Sequence, residues 1–334
     1  MNKWYEKSGE MGDVIVSTRI RLARNLEKYP FPAVLSVADK KKAAKEIEDA
    51  ILNSNSTLAK DFKVIRMGDL DKSERLALAE KHLISPELAD NDDGSVMISK
   101  DENMSIMLME EDHIRLQIIM GGAKLKEAWE TADKVDNVIE ENADYAFSEE
   151  LGYLTACPTN TGTGMRASVM MHLPALTYTN NINKIISSAS ALGLTVRGLY
   201  GEGSKAYGNL YQISNQVTLG ISEQEIIDML QNITDQICRH EQEARDALKN
   251  RPETADKLWR SYGILKYARS VSSSEAKALL SDVILGENLG IIDSGKKSLT
   301  RLMVETEPAQ IMSGKKLSPE ERDKKRAELL RESI

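Results

Sequence analysis

The chain has little cysteine: Cys157 and Cys238 are the two in 334 residues. That is too few for a disulfide framework and fits a reducing compartment. It has no run of 18 apolar residues and no apolar core within the first 30 of the kind a secretion signal carries. The expectation is a cytoplasmic protein, neither secreted nor membrane-spanning. An excess of positive charge is also missing. Lys and Arg number 44 against 52 Asp and Glu, giving a net charge of −8. This argues against a general nucleic-acid-binding surface and suits a basic substrate. What is present is ordinary for a globular protein, 41% hydrophobic and 29% charged. The length allows one large domain and a smaller one.

Local patterns predict a mixed chain. Asp39 to Leu58 reads as an amphipathic helix with Asp39 as N-cap, and Ser73 to His82 as another. Asn91-Asp92-Asp93-Gly94 signals a turn, after which Ser95 to Ser99, Met104 to Met109 and Ile114 to Met120 read as strands. Short strands joined by tight turns predict an antiparallel sheet rather than βαβ units. Ala123 to Ala143 and Asn183 to Leu192 read as helices, and Leu194 to Arg197 as a strand. From Ser222 onward helices dominate: Ser222 to Lys249, Pro252 to Tyr267, Ser274 to Leu285 and Ser318 to Arg331. Asn250-Arg251-Pro252 marks a boundary between a catalytic part, 1–250, and a helical part, 251–334. The class is α+β.

Several stretches carry chemistry and each has a plain structural alternative. Val14-Ile15-Val16 leads into Ser17-Thr18-Arg19-Ile20-Arg21, with Arg24 close behind. On a strand Arg19 and Arg21 share a face, which makes either a polyanion clamp or a solvated basic strand. Glu110-Glu111-Asp112-His113-Ile114-Arg115 lies between two strands. Three successive carboxylates repel one another, so the segment is an exposed acidic turn or a clamp for a cation. Cys157-Pro158-Thr159-Asn160-Thr161-Gly162-Thr163-Gly164-Met165-Arg166 combines a thiol, a preset turn, two glycines for close backbone approach to a ligand, and an arginine fork suited to phosphate. Cys157 itself is a small buried hydrophobe or a reactive thiolate. Arg197 to Gly208 is a glycine-spaced loop, and His82 ends a helix. Near the C-terminus Arg322 and Arg326 stand at i, i+4 beside Asp323 on a helix opened by a Ser318–Glu321 capping box. Gly290 to Lys296 fits most of a phosphate-loop pattern, but Lys297 replaces the Ser or Thr that would meet Mg2+, and no strand-then-helix context surrounds it.

Taken together, these stretches resemble the phosphagen (guanidino) kinases. The decapeptide resembles their Cys-Pro-(Ser/Thr)-Asn-x-Gly-Thr signature, residues 17–21 their Ser-Thr-Arg-x-Arg segment, and 110–115 their Glu-Glu-Asp-His-x-Arg segment, with Met109 in place of the preceding Asn. Residues 197–202 resemble their Arg-Gly-x-x-Gly-Glu loop, and 211–215 their Tyr-Asp-Ile-Ser-Asn strand. The resemblance implies that Ser17, Thr18, Arg19, Ile20, Arg21, His82, Arg115, Arg166, Ala167, Ser168, Val169, Met170, Arg197, Gly198, Leu199, Tyr200 and Gly201 surround the nucleotide. It implies that Glu111 and Glu202 bind and polarise a guanidinium, and that Cys157 helps position it without acting as a covalent nucleophile. The cofactors implied are ATP and Mg2+, the ion bridging phosphate oxygens with no protein ligand assigned. Many relatives have histidine at the Met170 position, and the small-molecule kinases often have arginine at Tyr200.

Two features point to one branch. Creatine and arginine kinases carry a helical domain before Ser-Thr-Arg-x-Arg, with a loop that closes on a small substrate. Sixteen residues precede Ser17 here, so that lid is expected to be missing and an arginine on a protein could enter. Arg322-Asp323-Lys324-Lys325-Arg326-Ala327 resembles the Arg-Asp-x-x-Arg-(Pro/Ala) motif of the bacterial protein-arginine kinases, where it forms an allosteric phosphoarginine pocket. The expected activity is transfer of the ATP γ-phosphoryl group to protein arginines, in stress response and protein quality control. The alternatives are a small-molecule phosphagen kinase and a non-catalytic phosphoarginine-binding adaptor. Implied partners are arginine-bearing protein substrates, a zinc-binding activator protein, a Clp ATPase–protease and a heat-shock repressor, with a homodimer compatible with the helical tail and no direct contact with nucleic acid or membrane.

Overall fold

The computed structural model describes residues 3–6, 11–56, 60–198, 206–294 and 298–334. Its strands are β1 (Ile15–Arg24), β2 (Phe62–Arg66), β3 (Ser95–Ser99), β4 (Met104–Leu108), β5 (Ile114–Gly121), β6 (Phe147–Ser148), β7 (Gly152–Tyr153), β8 (Met165–His172), β9 (Leu194–Gly198) and β10 (Leu210–Asn215). Eight of them form one sheet in the order β2-β3-β4-β5-β1-β8-β10-β9, and every pairing is antiparallel. The remaining two make a small hairpin.

The sheet is two-faced because its central strands alternate. Ile20 and Leu22 of β1, Leu116 and Ile118 of β5, Ala167 and Val169 of β8, and Ile213 of β10 are buried on one face. Against them pack α1 (Val37–Leu52), α4 (Leu125–Glu140) and α7 (Glu223–Lys249), forming the main core. Helix α7 supplies Ile226, Leu230, Ile233 and Ile237 at helical spacing. The opposite face carries the polar and cationic side chains described below. At its β3–β4 end a smaller apolar cluster joins Met67, Leu83, Leu88, Val96 and Met107 under α2 (Lys72–Glu80) and α3 (Pro86–Ala89).

Several predicted boundaries are corrected. The cap of α1 is Ser36, whose Oγ accepts from Asp39 N at 3.1 Å, and the helix ends at Leu52. Helix α2 begins after Asp71, which forms a capping box with Glu74, and stops at Glu80. His82 lies beyond it with φ 59°, a left-handed conformation that cannot continue a helix. The first strand runs on from the predicted Val14–Val16 through Arg24. Gly290, with φ 71°, ends a helix: Ile291 N and Ile292 N both donate back to Gly286 O. This is a helix terminus and not a phosphate loop; residues 295–297 lie outside the described residues.

Beyond α5 (Pro174–Tyr178) and α6 (Ile182–Ala191), the helical end of the chain comprises α8 (Pro252–Tyr267), α9 (Ser273–Asn288), α10 (Leu299–Glu305), α11 (Pro308–Met312) and α12 (Pro319–Ser333). Its own core, including Leu258, Leu280, Val283, Leu302 and Leu330, reaches the sheet through Met170 and Leu210. Polar contacts pin the same junction. Ser281 Oγ lies 2.7 Å from His172 Nε2 and accepts from Asn209 Nδ2 at 2.8 Å. The Glu80 carboxylate accepts from Ala309 N at 2.9 Å and from Gln310 N at 3.0 Å.

Candidate active site

Strand register assembles the arginines. Arg21 of β1 lies opposite Arg166 of β8 on one side and Gln117 of β5 on the other. Ala23 pairs with Arg115, and Gln212 of β10 bridges Met170 of β8 to Arg197 of β9. Following the alternation across these pairs puts Arg19, Arg21, Arg115, Arg166 and Arg197 on one face. Thr18, Ile20, Ala167 and Val169 turn to the other face and are buried in the core, so their side chains frame the site without lining it. Ser17, Ser168 and Met170 share the arginine face and are buried. Arg24, the third arginine of the early run, faces away. It is 1% exposed, pairs with Asp136 at 2.8 Å and stacks 3.4 Å from the Tyr153 ring.

The cations repel one another. Burial, with repulsion from Arg19, Arg115 and Arg166, pushes the Arg21 guanidinium well below the ordinary arginine range. Arg166 is lowered by burial and by Arg197 and Arg115. The Nε atoms of Arg21 and Arg166 are buried without a hydrogen-bond partner. Buried, unpaired donors in a field of like charge are relieved by a polyanion. Arg19 Nη2 donates to Gln212 Oε1 at 2.8 Å.

The three carboxylates between β4 and β5 have three different roles. The Glu110 side chain, 3% exposed, receives Arg115 Nη1 on both oxygens at 2.7 and 3.0 Å and also the Ser85 hydroxyl. Asp112 is buried and accepts from Asn25 Nδ2 at 2.6 Å and Ala156 N at 2.7 Å. His113 accepts Leu26 N on Nδ1 at 3.0 Å and contacts Pro30 O through Nε2 at 3.0 Å, so it is a pillar of the turn. Glu111 alone has no hydrogen bond or ion pair to a described residue. Partial burial and then Asp112 raise its pKa, with Arg115 opposing them.

The loop after Tyr153 brings the thiol to this turn. Cys157 opens a single 3-10 turn, Pro158–Asn160, and its Sγ lies 3.0 Å from Thr159 Oγ1. Ala156 N is held by Asp112, and Thr218 Oγ1 donates to Thr159 O at 2.9 Å and Thr161 O at 2.8 Å. The glycines serve packing within the chain as well, and Gly164 also lines the cavity described below. A Cβ on Gly162, φ 115°, would fall 2.1 Å from Thr218 O, and one on Gly164, φ 61°, 2.6 Å from Ala23 O. Both let the loop lie against its own chain.

A cavity of about 160 Å³ lies among Arg21, Glu110, Glu111, Arg115, Cys157 and Arg166. A second, of about 320 Å³, shares Arg21 and Arg115 and adds Arg19, His82, Ser85 and Glu87. The first joins a free carboxylate, a thiol and cations; the second is mainly cationic. Burial, Arg19 and Lys277 push His82 down to about 3, so its ring is neutral. The ring packs 5.7 Å from Trp4, and its carbonyl accepts from Gln117 Nε2 at 2.6 Å.

Other expected residues stand apart. Gly198 closes β9 beside Arg197, whereas Leu199, Tyr200, Gly201 and Glu202 lie outside the described residues. On α12, Arg326 is 1% exposed: its Nε donates to Thr306 O at 2.7 Å, and its Nη1 to Val271 O at 2.9 Å and Asp323 Oδ1 at 2.5 Å. The simple charged surface helix is therefore wrong for this residue. Arg322 is half-buried, and its Nε has no partner. Sequence reasoning missed Asn25, Ser85 and Thr218. Asn25 ends the arginine run, but nothing local marks its partners, 87 and more residues away.

Residues 42–244 match the family model described as ATP:guanido phosphotransferase, C-terminal catalytic domain. The chain belongs to the ATP:guanido phosphotransferase family. Residues 251–334 match a second family model, Protein-arginine kinase McsB C-terminal domain. The chain is 49% identical to the protein-arginine kinase of Caldanaerobacter subterraneus subsp. tengcongensis, over 95% of each chain. It is 46% identical to that of Bacillus subtilis, over 100% of this chain and 93% of the relative. Among solved structures, a lombricine kinase superposes with a TM-score of 0.61 at 23% identity, covering 72% of each chain. The duplicated taurocyamine kinase of Schistosoma mansoni with transition-state-analogue components superposes at 0.57 with 26% identity, over 69% of this chain and 32% of that one. The large antiparallel sheet of this phosphotransferase is thus the guanidino-kinase fold. Its β1 arginines precede the span matched by the catalytic family model and are placed in the site by strand register.

Proposed function

We propose that this chain is a protein-arginine kinase that transfers the γ-phosphoryl group of ATP to arginine side chains of proteins. The observation that carries the reading is an unpaired carboxylate, Glu111, lining one cavity with Cys157 and three arginines, in a chain whose relatives along its full length are protein-arginine kinases. Arg19, Arg21, Arg115, Arg166 and Arg197 hold the triphosphate and spread the charge that develops as the β–γ bridging P–O bond breaks. Neutral His82, beside Arg19, borders the nucleotide. Among the described residues no group of three or more His, Cys, Asp or Glu is placed to hold a metal ion. Mg2+, implied by the family resemblance, would supply further charge neutralisation on the nucleotide.

The acceptor guanidinium has a pKa above ~12, and its nitrogens lack a free lone pair. Glu111 pairs with it and aims one terminal nitrogen at the γ-phosphorus. As the N–P bond forms, the carboxylate takes the nitrogen's proton, and ADP departs with the bridging oxygen. The raised pKa of Glu111 strengthens it as a base. Glu202 is the second carboxylate of the clamp by family resemblance, and Cys157 borders the acceptor. Arg322, Asp323 and Arg326 belong to an allosteric phosphoarginine pocket. Cytoplasmic residence, a role in stress response and quality control, a homodimer, and the zinc-binding activator, Clp ATPase–protease and heat-shock repressor as partners complete the proposal on the same resemblance.

The test is phosphate transfer from labelled ATP to an unfolded arginine-rich protein and, separately, to free arginine. Acid-labile label on protein arginine, lost in Glu111→Gln with ATP affinity kept, is the expected result. Label mainly on free arginine would move the chain to the small-molecule branch.

A further inference from the structure

An arginine that is part of a polypeptide brings its neighbours with it, and they must lie on the surface around the catalytic cavity. One apolar groove lies on the far side of the segment that supports the catalytic loop. It encloses about 330 Å³ among Leu192, Val217, Leu219, Ile221, Ile226 and Met229. Leu192, Val217 and Leu219 are each about half exposed, at 53%, 50% and 51%, whereas Ile226 beneath them is fully buried.

The groove and the thiol loop share one short stretch of chain. Val217 and Leu219 flank Thr218, which is 6% exposed and holds the carbonyls of Thr159 and Thr161 through its hydroxyl. Thr163 N donates to Thr218 O at 2.9 Å. The middle residue of the three thus braces the Cys157 loop while its neighbours present apolar surface outward. Thr159, which Thr218 holds, is two residues from Cys157, so the groove and the thiol loop are close neighbours in the fold. At its rim Glu225 is kept ionised by hydrogen bonds from the Ser222 amide and hydroxyl. That charge complements a basic polypeptide.

We propose that this groove is an acceptor subsite that takes a large apolar side chain of the arginine-bearing polypeptide, a few residues from the arginine being phosphorylated. The inference rests on the reading that the acceptor is a protein. It predicts a preference for unfolded chains, in which arginine and exposed Leu, Ile, Val or Phe lie on one flexible segment. Seating such a side chain presses on the Thr218 brace, and so on the loop that carries Cys157.

Two arginine peptides decide it, one with leucine at positions three to five from the arginine and one with serine there, alongside an unfolded arginine-rich protein. Expected is a kcat/KM about tenfold higher for the leucine peptide, the scale of one apolar side chain entering a pocket. In the Val217→Ser/Leu219→Ser variant, which changes exposed side chains only, that preference collapses while the serine peptide keeps its rate. Equal rates for both peptides with the wild-type kinase would overturn the groove and leave the protein-kinase reading standing. Equal loss on both peptides in the variant would also overturn it, because the substitutions then act through the loop. A change of mass in light scattering would assign the groove to a second copy of the chain instead. Label on neither the peptides nor the protein would sink the underlying reading, and the groove with it.

Discussion

Arg326 offers the sharpest test, because the same residue is a candidate effector ligand and a buried support. Its guanidinium closes the space between the start of α9, the end of α10 and α12, donating to Val271 O, Thr306 O and Asp323. Each charge-assisted bond contributes about 1.5–3 kcal/mol, and each carbonyl stranded in the interior costs about 1–3 kcal/mol. Asp323 is 32% exposed, so water compensates its loss. The two carbonyls cannot be compensated so easily, and the side chain leaves a cavity. Arg326→Ala is therefore expected to destabilise the helical end by about 3–5 kcal/mol, the range for breaking a buried charged contact from one side. That is a large part of the roughly 5–15 kcal/mol a domain has in total. Urea unfolding, combined with amide hydrogen exchange in α8, α9 and α12, measures it. Arg322→Ala is the control: it removes a donor that already lacks a partner at Nε and is expected to change stability by less than about 1 kcal/mol. Equal unfolding midpoints for Arg326→Ala and the wild type would refute the reasoning. If the midpoints differ as expected, loss of a phosphoarginine response in Arg326 variants reports a loosened domain, and Arg322 is the residue with which to test the pocket.

Asn25→Ala removes the side chain that joins Asp112, Leu154 O and His113 N; kcat is expected to fall about 10²-fold through loosened placement of Glu111 and Cys157, with ATP affinity unchanged by calorimetry. An unchanged kcat would show that this clamp does not position the site. Glu111 must be ionised to accept a proton, and its pKa is raised above 4.5, so the acidic limb of kcat should lie above the ordinary glutamate value and move in Glu111→Asp. His172 is fully buried and pushed down to about 3 from 6.5. It stays neutral in the fold, so its share of stability is full above pH 6.5 and is lost as pH falls toward 3. Relative to neutral pH, about 2 kcal/mol should be gone at pH 5, and His172→Gln, able to keep a bond to Ser281, should flatten that dependence in denaturant titrations.

The legible parts of this protein were those with short-range physical signals. Period-two alternation placed Arg19 and Arg21 on one face, and turn residues separated β3, β4 and β5, because both depend on neighbours in sequence. Where two local signals compete, sequence fails by a few residues. Ser36 and Asp39 both suit an N-cap, and the structure uses Ser36 with Asp39 donating its amide. Strand β8 was invisible as a strand: Met165–His172 mixes buried apolar residues with Arg166, Ser168 and His172, and only its position between β1 and β10 accounts for that pattern.

The active site shows the same limit at the level of chemistry. Glu110, Glu111 and Asp112 are three adjacent carboxylates, and their side chains alone give no reason to treat them differently. Their roles are assigned by partners elsewhere in the chain: Arg115 and Ser85 neutralise the first, and Asn25 and Ala156 fix the third. The middle one is left in the cavity wall without a partner among the described residues, because its neighbours are occupied. Free carboxylates inside a cationic sheet face would otherwise collapse onto the nearest arginine, as Glu110 does onto Arg115. Asp112 is held from the core side while Glu111 lines the cavity. On the proposed function, a reactive group is produced here by satisfying the groups on either side of it, and substitutions at Asn25 or Ser85 are expected to lower kcat without touching the reacting atoms.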